Sequence, residues 1–151
     1  MEKTIKIAIT GPESVGKSML AFSLSKHFNA PFVKEYARSY LKNKGANYTF
    51  SDIVAIAQKH IELERNIVKQ KHPLVFFDTD VINFKIWFEY FGYKTPDFLE
   101  KRIKEEPYSH SLLLYPNTKW VADGIRQNKD NRVEIYQKFD FLLSKNKYNK
   151  K

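Results

Sequence analysis

The sequence predicts an α/β domain of three layers, with helices on both faces of a parallel sheet, and three observations carry that expectation. Stretches of strand character alternate with stretches of helical character along the whole chain, the order that a parallel sheet with crossover helices requires. The stretch LVFFD at 74–78 is a continuous apolar run, as in a strand buried on both faces. A glycine-rich turn, GPESVGKS at 11–18, joins the first strand pattern to the first helical one.

Each element follows from its local pattern. TIKIAIT, residues 4–10, alternates and is β-branched, so it reads as the first strand. In the helix after the glycine turn, Leu20, Leu24 and Phe28 recur on one face. PFVKEY is a short second strand opened by Pro31, with Glu35 at its carboxyl end. The longest helix is TFSDIVAIAQKHIELERNIVKQ, capped by Thr49 or Ser51, in which Ile53, Ala57, Ile61, Glu64 and Val68 trace a mostly apolar stripe. Pro73 stops helical structure ahead of LVFFD, the third strand. VINFKIWFEYFG is an aromatic-rich helix closed by Gly92, with Asp80 or Thr79 as its cap, and the spacing of Phe84, Trp87, Phe88 and Phe91 places them mostly in the core. PDFLEKRIKEE is a short helix with Asp97 near its N-terminus, SLLLY a fourth strand, DGIRQNKDNR a polar loop and VEIYQKFDFLLSK a last helix. Folds of this kind usually carry a further strand, for which NKYNKK is a poor candidate, so the expected sheet lacks its C-terminal edge strand. The expected organisation is one domain over residues 1–144, with a lid near 123–132, and a basic tail at 145–151.

Composition narrows the chemistry. The 151 residues suffice for one domain with one core. With no cysteine, disulfides, zinc–thiolate sites and cysteine nucleophiles are excluded. No apolar run approaches the ~20 residues that span a bilayer, and strand character within four residues of the start leaves no room for a signal peptide. A cytoplasmic protein without a membrane partner is the expectation. The net charge of +9 suits a polyanionic partner, either a nucleotide with its phosphates or nucleic acid. Part of the excess lies in the tail SKNKYNKK, and neither a basic helix with interleaved aromatics nor an RNA-binding strand pattern is present, so nucleic acid is disfavoured.

The glycine-rich turn states what is bound. Gly11, Gly16, Lys17 and Ser18 match G-x-x-x-x-G-K-[ST], the phosphate-loop motif, in the strand–turn–helix context that the motif requires. Glycines let backbone N–H groups turn inward around a phosphate, and the positive end of the following helix faces the same anion. Lys17 supplies a mobile charge to the β- and γ-phosphates, and Ser18 a hydroxyl to Mg2+. Pro12, Glu13, Ser14, Val15 and Met19 complete the expected ATP-contacting stretch. A second Mg2+ ligand belongs at the end of a buried strand, where Asp78 closes LVFFD.

The remainder favours a small-molecule kinase. A GTPase needs N-K-x-D, whereas QNKDN places Asp130 one position early. A ring ATPase follows its metal-strand aspartate with a glutamate, whereas Thr79 follows Asp78. A kinase needs an acceptor pocket, a base and a lid arginine. Glu35 lies at the carboxyl edge of the sheet beside the phosphate loop, and Arg38 is three residues on. Arg126, with Gly124 as hinge, is the lid candidate, and Arg132 a second phosphate contact. Trp87 is the aromatic best suited to stack on a flat ring. Other readings of the same motif are a kinase for another nucleoside or nucleotide, an ATP-binding regulatory module without transfer, and a nucleic-acid-associated ATPase.

Together, GPESVGKS, EYAR shortly after the first helix, DTD followed by Trp87 and YFG, and LLLYPNTKWVADGIR resemble the bacterial nicotinamide riboside kinase (ribosylnicotinamide kinase) family. The resemblance spans roughly residues 4 to 135. It implies a P-loop NTPase fold of the nucleoside-kinase kind and transfer of the γ-phosphoryl group of ATP, with Mg2+, to the 5′-hydroxyl of nicotinamide riboside. It assigns Gly11 to Ser18 to ATP and metal, and Glu35, Tyr36 and Arg38 to the acceptor side. Asp78 and Asp80 fall to metal and to ribose-hydroxyl or proton-transfer work, and Trp120, Asp123 and Arg126 to the acceptor side and lid. Which of Glu35, Asp78 and Asp80 is the base stays open, as does oligomeric state. Family members continue past the last helix with a further strand and helix, where this sequence ends at NKYNKK.

Overall fold

The structure, a computed structural model, describes residues 3–12, 16–42, 44–45, 47–116 and 132–145. In chain order the elements are β1 (Ile5–Thr10), α1 (Lys17–Phe28), β2 (Phe32–Val33), α2 (Tyr36–Leu41), α3 (Phe50–Lys69), β3 (Leu74–Asp78), α4 (Ile82–Tyr90), α5 (Asp97–Glu105), β4 (His110–Leu113) and α6 (Arg132–Lys145). The described strands form one parallel sheet in the order β2-β3-β1-β4. The expected three-layer parallel α/β fold is therefore present. Ile9 is level with Asp78 and Thr10 with Leu113, so the ends of β1, β3 and β4 meet at one carboxyl edge.

Local chemistry explains the boundaries. Helix α1 begins after Gly16, a left-handed residue at φ 91°, and ends at Asn29, also left-handed, whose N–H bonds back to the last turn. Helix α3 carries a capping box: Thr49 Oγ1 accepts from the Asp52 amide, and Asp52 Oδ2 accepts from the Thr49 amide at 2.8 Å. Of the two caps expected, Thr49 does the work and Ser51 does not. Helix α4 starts with Val81 as N-cap and is bonded from one residue earlier, where Asp80 Oδ1 accepts from the Asn83 amide at 3.2 Å.

Three expectations are corrected. The second strand stops at Val33, and Glu35 is the N-cap of α2 rather than a strand end. Phe32 pairs with Phe76 and Val33 with Phe77, and α2 begins three residues after Val33. Arg132 is the first residue of α6 rather than part of a loop. Phe91 sits at the C-cap of α4 and is 40% exposed, whereas Phe84 and Phe88, one turn apart within the helix, are buried.

The core is unequal on the two faces of the sheet. On one side, Ala8, Val75 and Phe77 pack against residues of α2 to α6, among them Ile53, Phe84, Leu99 and Phe139, in one large cluster. On the other, Ile9 and Phe76 pack against α1 through Ala21, Leu20 and Leu24.

Candidate functional site

The phosphate-loop motif occupies the turn between β1 and α1, as its sequence context predicts. Gly11 has φ +134°, and a Cβ there would lie 2.8 Å from the Leu114 carbonyl oxygen, so both conformation and the neighbouring chain demand glycine. Gly16 is left-handed with open space around it. Lys17 is buried, and its ammonium donates to the carbonyls of Gly11 at 2.7 Å and Pro12 at 2.9 Å. The ammonium is thus held by the two carbonyls that open the motif. Met19 is 77% exposed and reaches solvent from the first turn of α1. Glu13, Ser14 and Val15 lie outside the described residues.

The two expected metal ligands are in direct contact. Ser18 Oγ donates to Asp78 Oδ2 at 2.6 Å. Asp78 is buried at the last position of β3. Burial pushes its carboxyl above the ordinary value and the nearby Glu35 adds to this, against the pull of the Ser18 hydrogen bond, Lys17 and Arg38. The donor set is a hydroxyl and one carboxylate, both hard oxygens, and no group of three metal-ligating side chains is found among the described residues. That matches Mg2+, which keeps several waters and takes one or two carboxylates beside substrate phosphates.

Thr79, next in the chain, has φ +78°, a left-handed conformation that costs a β-branched residue about 1–3 kcal/mol. Its amide donates to the Ile9 carbonyl at 2.9 Å, which ties the turn to β1. Asp80 follows, fully buried. Its Oδ1 accepts from Thr10 Oγ1 at 2.9 Å and from the Asn83 amide, and its Oδ2 has no hydrogen-bond partner among the described residues. Burial pushes the Asp80 carboxyl up to about 6, although both hydrogen bonds oppose this.

Glu35 and Arg38 form an ion pair at 3.7 Å at the start of α2, with Glu35 mostly shielded and Arg38 half exposed. Tyr36 packs into the large cluster, its ring 6.1 Å from that of Tyr40. Trp87 is half-buried: its indole nitrogen donates to Tyr48 Oη at 3.1 Å, and its ring stacks on Phe84. Trp120, Asp123 and Arg126, with most of the expected lid, lie outside the described residues. Among the expected residues, Lys17, Ser18, Asp78, Asp80, Glu35 and Arg38 converge on the carboxyl edge of the sheet.

Sequence reasoning missed a polar network behind Asp80. Glu64 of α3 accepts from Arg102 Nη2 at 2.6 Å and from Tyr108 Oη at 2.8 Å, and pairs with His60 Nε2 at 3.1 Å. All four residues are buried. Burial alone would raise the Glu64 carboxyl and lower the His60 imidazolium, but their mutual contact, reinforced on Glu64 by Arg102 and Tyr108, holds Glu64 below and His60 above their ordinary values. The available signal was a carboxylate at position 64 of an otherwise apolar stripe.

Comparison with known proteins agrees with this arrangement. The profile of the AAA domain family (AAA_28) matches residues 6–150. The chain is 33% identical over 124 residues to the trifunctional NAD biosynthesis/regulator protein NadR of Escherichia coli (strain K12), covering 80% of this chain and 30% of that one. It thus spans about a third of that relative. Among solved structures, NadR protein in complex with NR superposes with a TM-score of 0.76 at 23% identity, over 94% of this chain and 43% of that chain. Deoxyadenosine kinase from M. mycoides with bound dATP superposes at 0.67 and 14% identity, over 97% and 89%. The fold is that of the P-loop nucleoside and nucleotide kinases, and the chain belongs to the AAA domain family.

Proposed function

We propose that this chain transfers the γ-phosphoryl group of ATP to the 5′-hydroxyl of nicotinamide riboside, giving nicotinamide mononucleotide. The observation that carries the reading is the contact of Ser18 with Asp78 at 2.6 Å beside the buried Lys17 ammonium, with a second carboxylate, Asp80, two residues away. The acceptor is taken from the 33% identity to a protein of NAD biosynthesis and from the NR bound in a relative of the same fold.

In this reading the phosphate loop and Lys17 bind the triphosphate, and Ser18 and Asp78 are the residues that would hold Mg2+ beside it. The metal, when bound, offsets charge on the transferring phosphoryl group. Glu35, shielded at the start of α2, orients the acceptor hydroxyl and takes its proton, and Arg38 pairs with it at 3.7 Å. Asp80 Oδ2 accepts a ribose hydroxyl. Trp87 offers an indole already fixed by Tyr48 and Phe84 as a wall for the flat base. Arg126, which lies outside the described residues, and Arg132 at the head of α6 are the arginines assigned to the phosphates; arginines in such positions are worth about 10³-fold or more in rate.

The test is a panel of acceptors with γ-labelled ATP: nicotinamide riboside, purine and pyrimidine nucleosides, nucleoside monophosphates, and none. Labelled nicotinamide mononucleotide as the dominant product supports the proposal. Transfer to another nucleoside or to a nucleotide replaces the acceptor, and ATP binding without any transfer makes the chain a nucleotide-binding module.

A further inference from the structure

We propose that Tyr108 is a positioning residue for the nucleoside, acting through the backbone of the turn that carries Asp80; this rests on the acceptor-side role of Asp80 given above. The Val81 amide, next in the chain after the Asp80 side chain, donates to Tyr108 Oη at 3.0 Å. A phenol has one proton, and Glu64 has only acceptors when ionised, so Tyr108 donates to Glu64 and accepts from Val81. The result is a directed chain, Val81 N–H to Tyr108 O–H to the Glu64 carboxylate, with every member buried.

That chain fixes the peptide plane between Asp80 and Val81. Thr10 and Asn83 fix Oδ1 of the same aspartate from the side-chain end. With the peptide and one oxygen held, Oδ2 has a single direction in which to point. The turn needs such support because Thr79 is left-handed, a conformation that relaxes if its neighbours release it. The Tyr108 ring is itself immobilised, against Phe77 at 5.4 Å and under the Arg102 guanidinium at 5.1 Å. Buried ion pairs contribute little net stability, so a fully buried glutamate with three partners is better accounted for by the geometry it imposes than by free energy of folding.

Two variants separate positioning from simple stability. Tyr108→Phe keeps the ring and removes the one hydroxyl on which Val81 relies; kcat/KM for nicotinamide riboside should fall about tenfold, with KM for ATP unchanged within about twofold. Glu64→Gln keeps an acceptor oxygen for Tyr108 but leaves Arg102 and His60 poorly paired. It should lower thermal stability more than Tyr108→Phe does, yet reduce kcat/KM for the nucleoside less than Tyr108→Phe does, because the amide oxygen still accepts from the phenol. A network serving stability alone gives the reverse ranking, with activity following stability. Nucleoside kinetics of Tyr108→Phe within about twofold of wild type overturn the proposal, as does a loss shared equally between the nucleoside and ATP. If Glu64→Gln does not fold, the split between nucleoside and ATP in Tyr108→Phe decides alone. Should the panel identify a different acceptor, the same comparison is made with it. A wild-type chain that transfers to no acceptor sinks the kinase reading and this proposal together, whereas an active wild type matched by Tyr108→Phe sinks only the latter.

Discussion

The phosphate loop and the acidic turn after β3 face each other across the carboxyl edge of the sheet and are held by opposite means. The loop is built from consecutive residues: glycines at 11 and 16, a lysine folded onto carbonyls five and six positions back, and a helix that starts where the motif ends. Its helix is thinly packed, with Met19, Phe22 and Phe28 largely in solvent. The turn is built from distant residues: Thr10 against Asp80, Tyr108 against Val81, Glu64 and Arg102 behind them, all buried. A locally encoded element tolerates change around it and fails only at its own residues. An element assembled from distant parts carries unfavourable features, here a left-handed threonine and a half-satisfied buried carboxylate, that its surroundings must hold in place.

The largest effect should come from Lys17→Ala, which removes the loop's charge and leaves its backbone. Phosphoryl transfer to nicotinamide riboside should drop by at least about 10²–10³-fold, while the melting temperature moves by no more than a few degrees. Transfer at the wild-type rate would remove Lys17 from the mechanism.

Asp80→Asn should behave in the opposite sense on the two axes. Nucleoside kcat/KM should fall about tenfold or more, yet the protein should melt higher at pH 7.5, because a carboxyl raised to about 6 from an ordinary ~3.9 is ionised there at a cost of about 2–3 kcal/mol. The sign follows from the raised value: the folded state holds the proton more tightly, so the cost of the wild-type carboxylate fades as pH falls from about 6 toward 4. The difference in melting temperature between variant and wild type should therefore close over that window. A lower melting temperature for the variant at pH 7.5 would mean that the aspartate is better satisfied than its contacts indicate.

The same group sets a smaller, wild-type effect. Nucleoside kcat/KM should rise with pH through about 6 and then level, and the step should be absent in Asp80→Asn. A flat wild-type profile between pH 5 and 7 argues against an ionised Asp80 at the acceptor.

The smallest effect belongs to the exposed side of α1. Phe22→Ser replaces a ring that is about half in solvent and touches Phe32 edge-on, so its stability cost should stay within about 1 kcal/mol, with transfer unchanged. A loss comparable with those at Asp80 would mean that the two sides of the sheet are not as different as their packing indicates.

The sequence by itself determined the elements whose causes are local. The phosphate loop, the alternation of strands and helices, the buried run ending in Asp78 and a cap at Thr49 or Ser51 were all legible, because each depends on residues within a few positions of one another. The nearness of Ser18 and Asp78 could be anticipated as well, since the motif and the buried run ending in Asp78 assign both to one metal. The tertiary structure decided the rest. That β2 ends at Val33, opposite Phe77, and leaves Glu35 to start a helix is seen only once the strands are paired. That Glu64 of an apolar-looking stripe anchors Tyr108, and through it the turn at Asp80, depends on contacts between residues 27 to 44 positions apart. Periodicity reports which way a side chain faces and not what it meets there, so a glutamate on a core face reads as an imperfection until Arg102 and Tyr108 arrive from elsewhere in the fold to join His60, one turn back on the same helix.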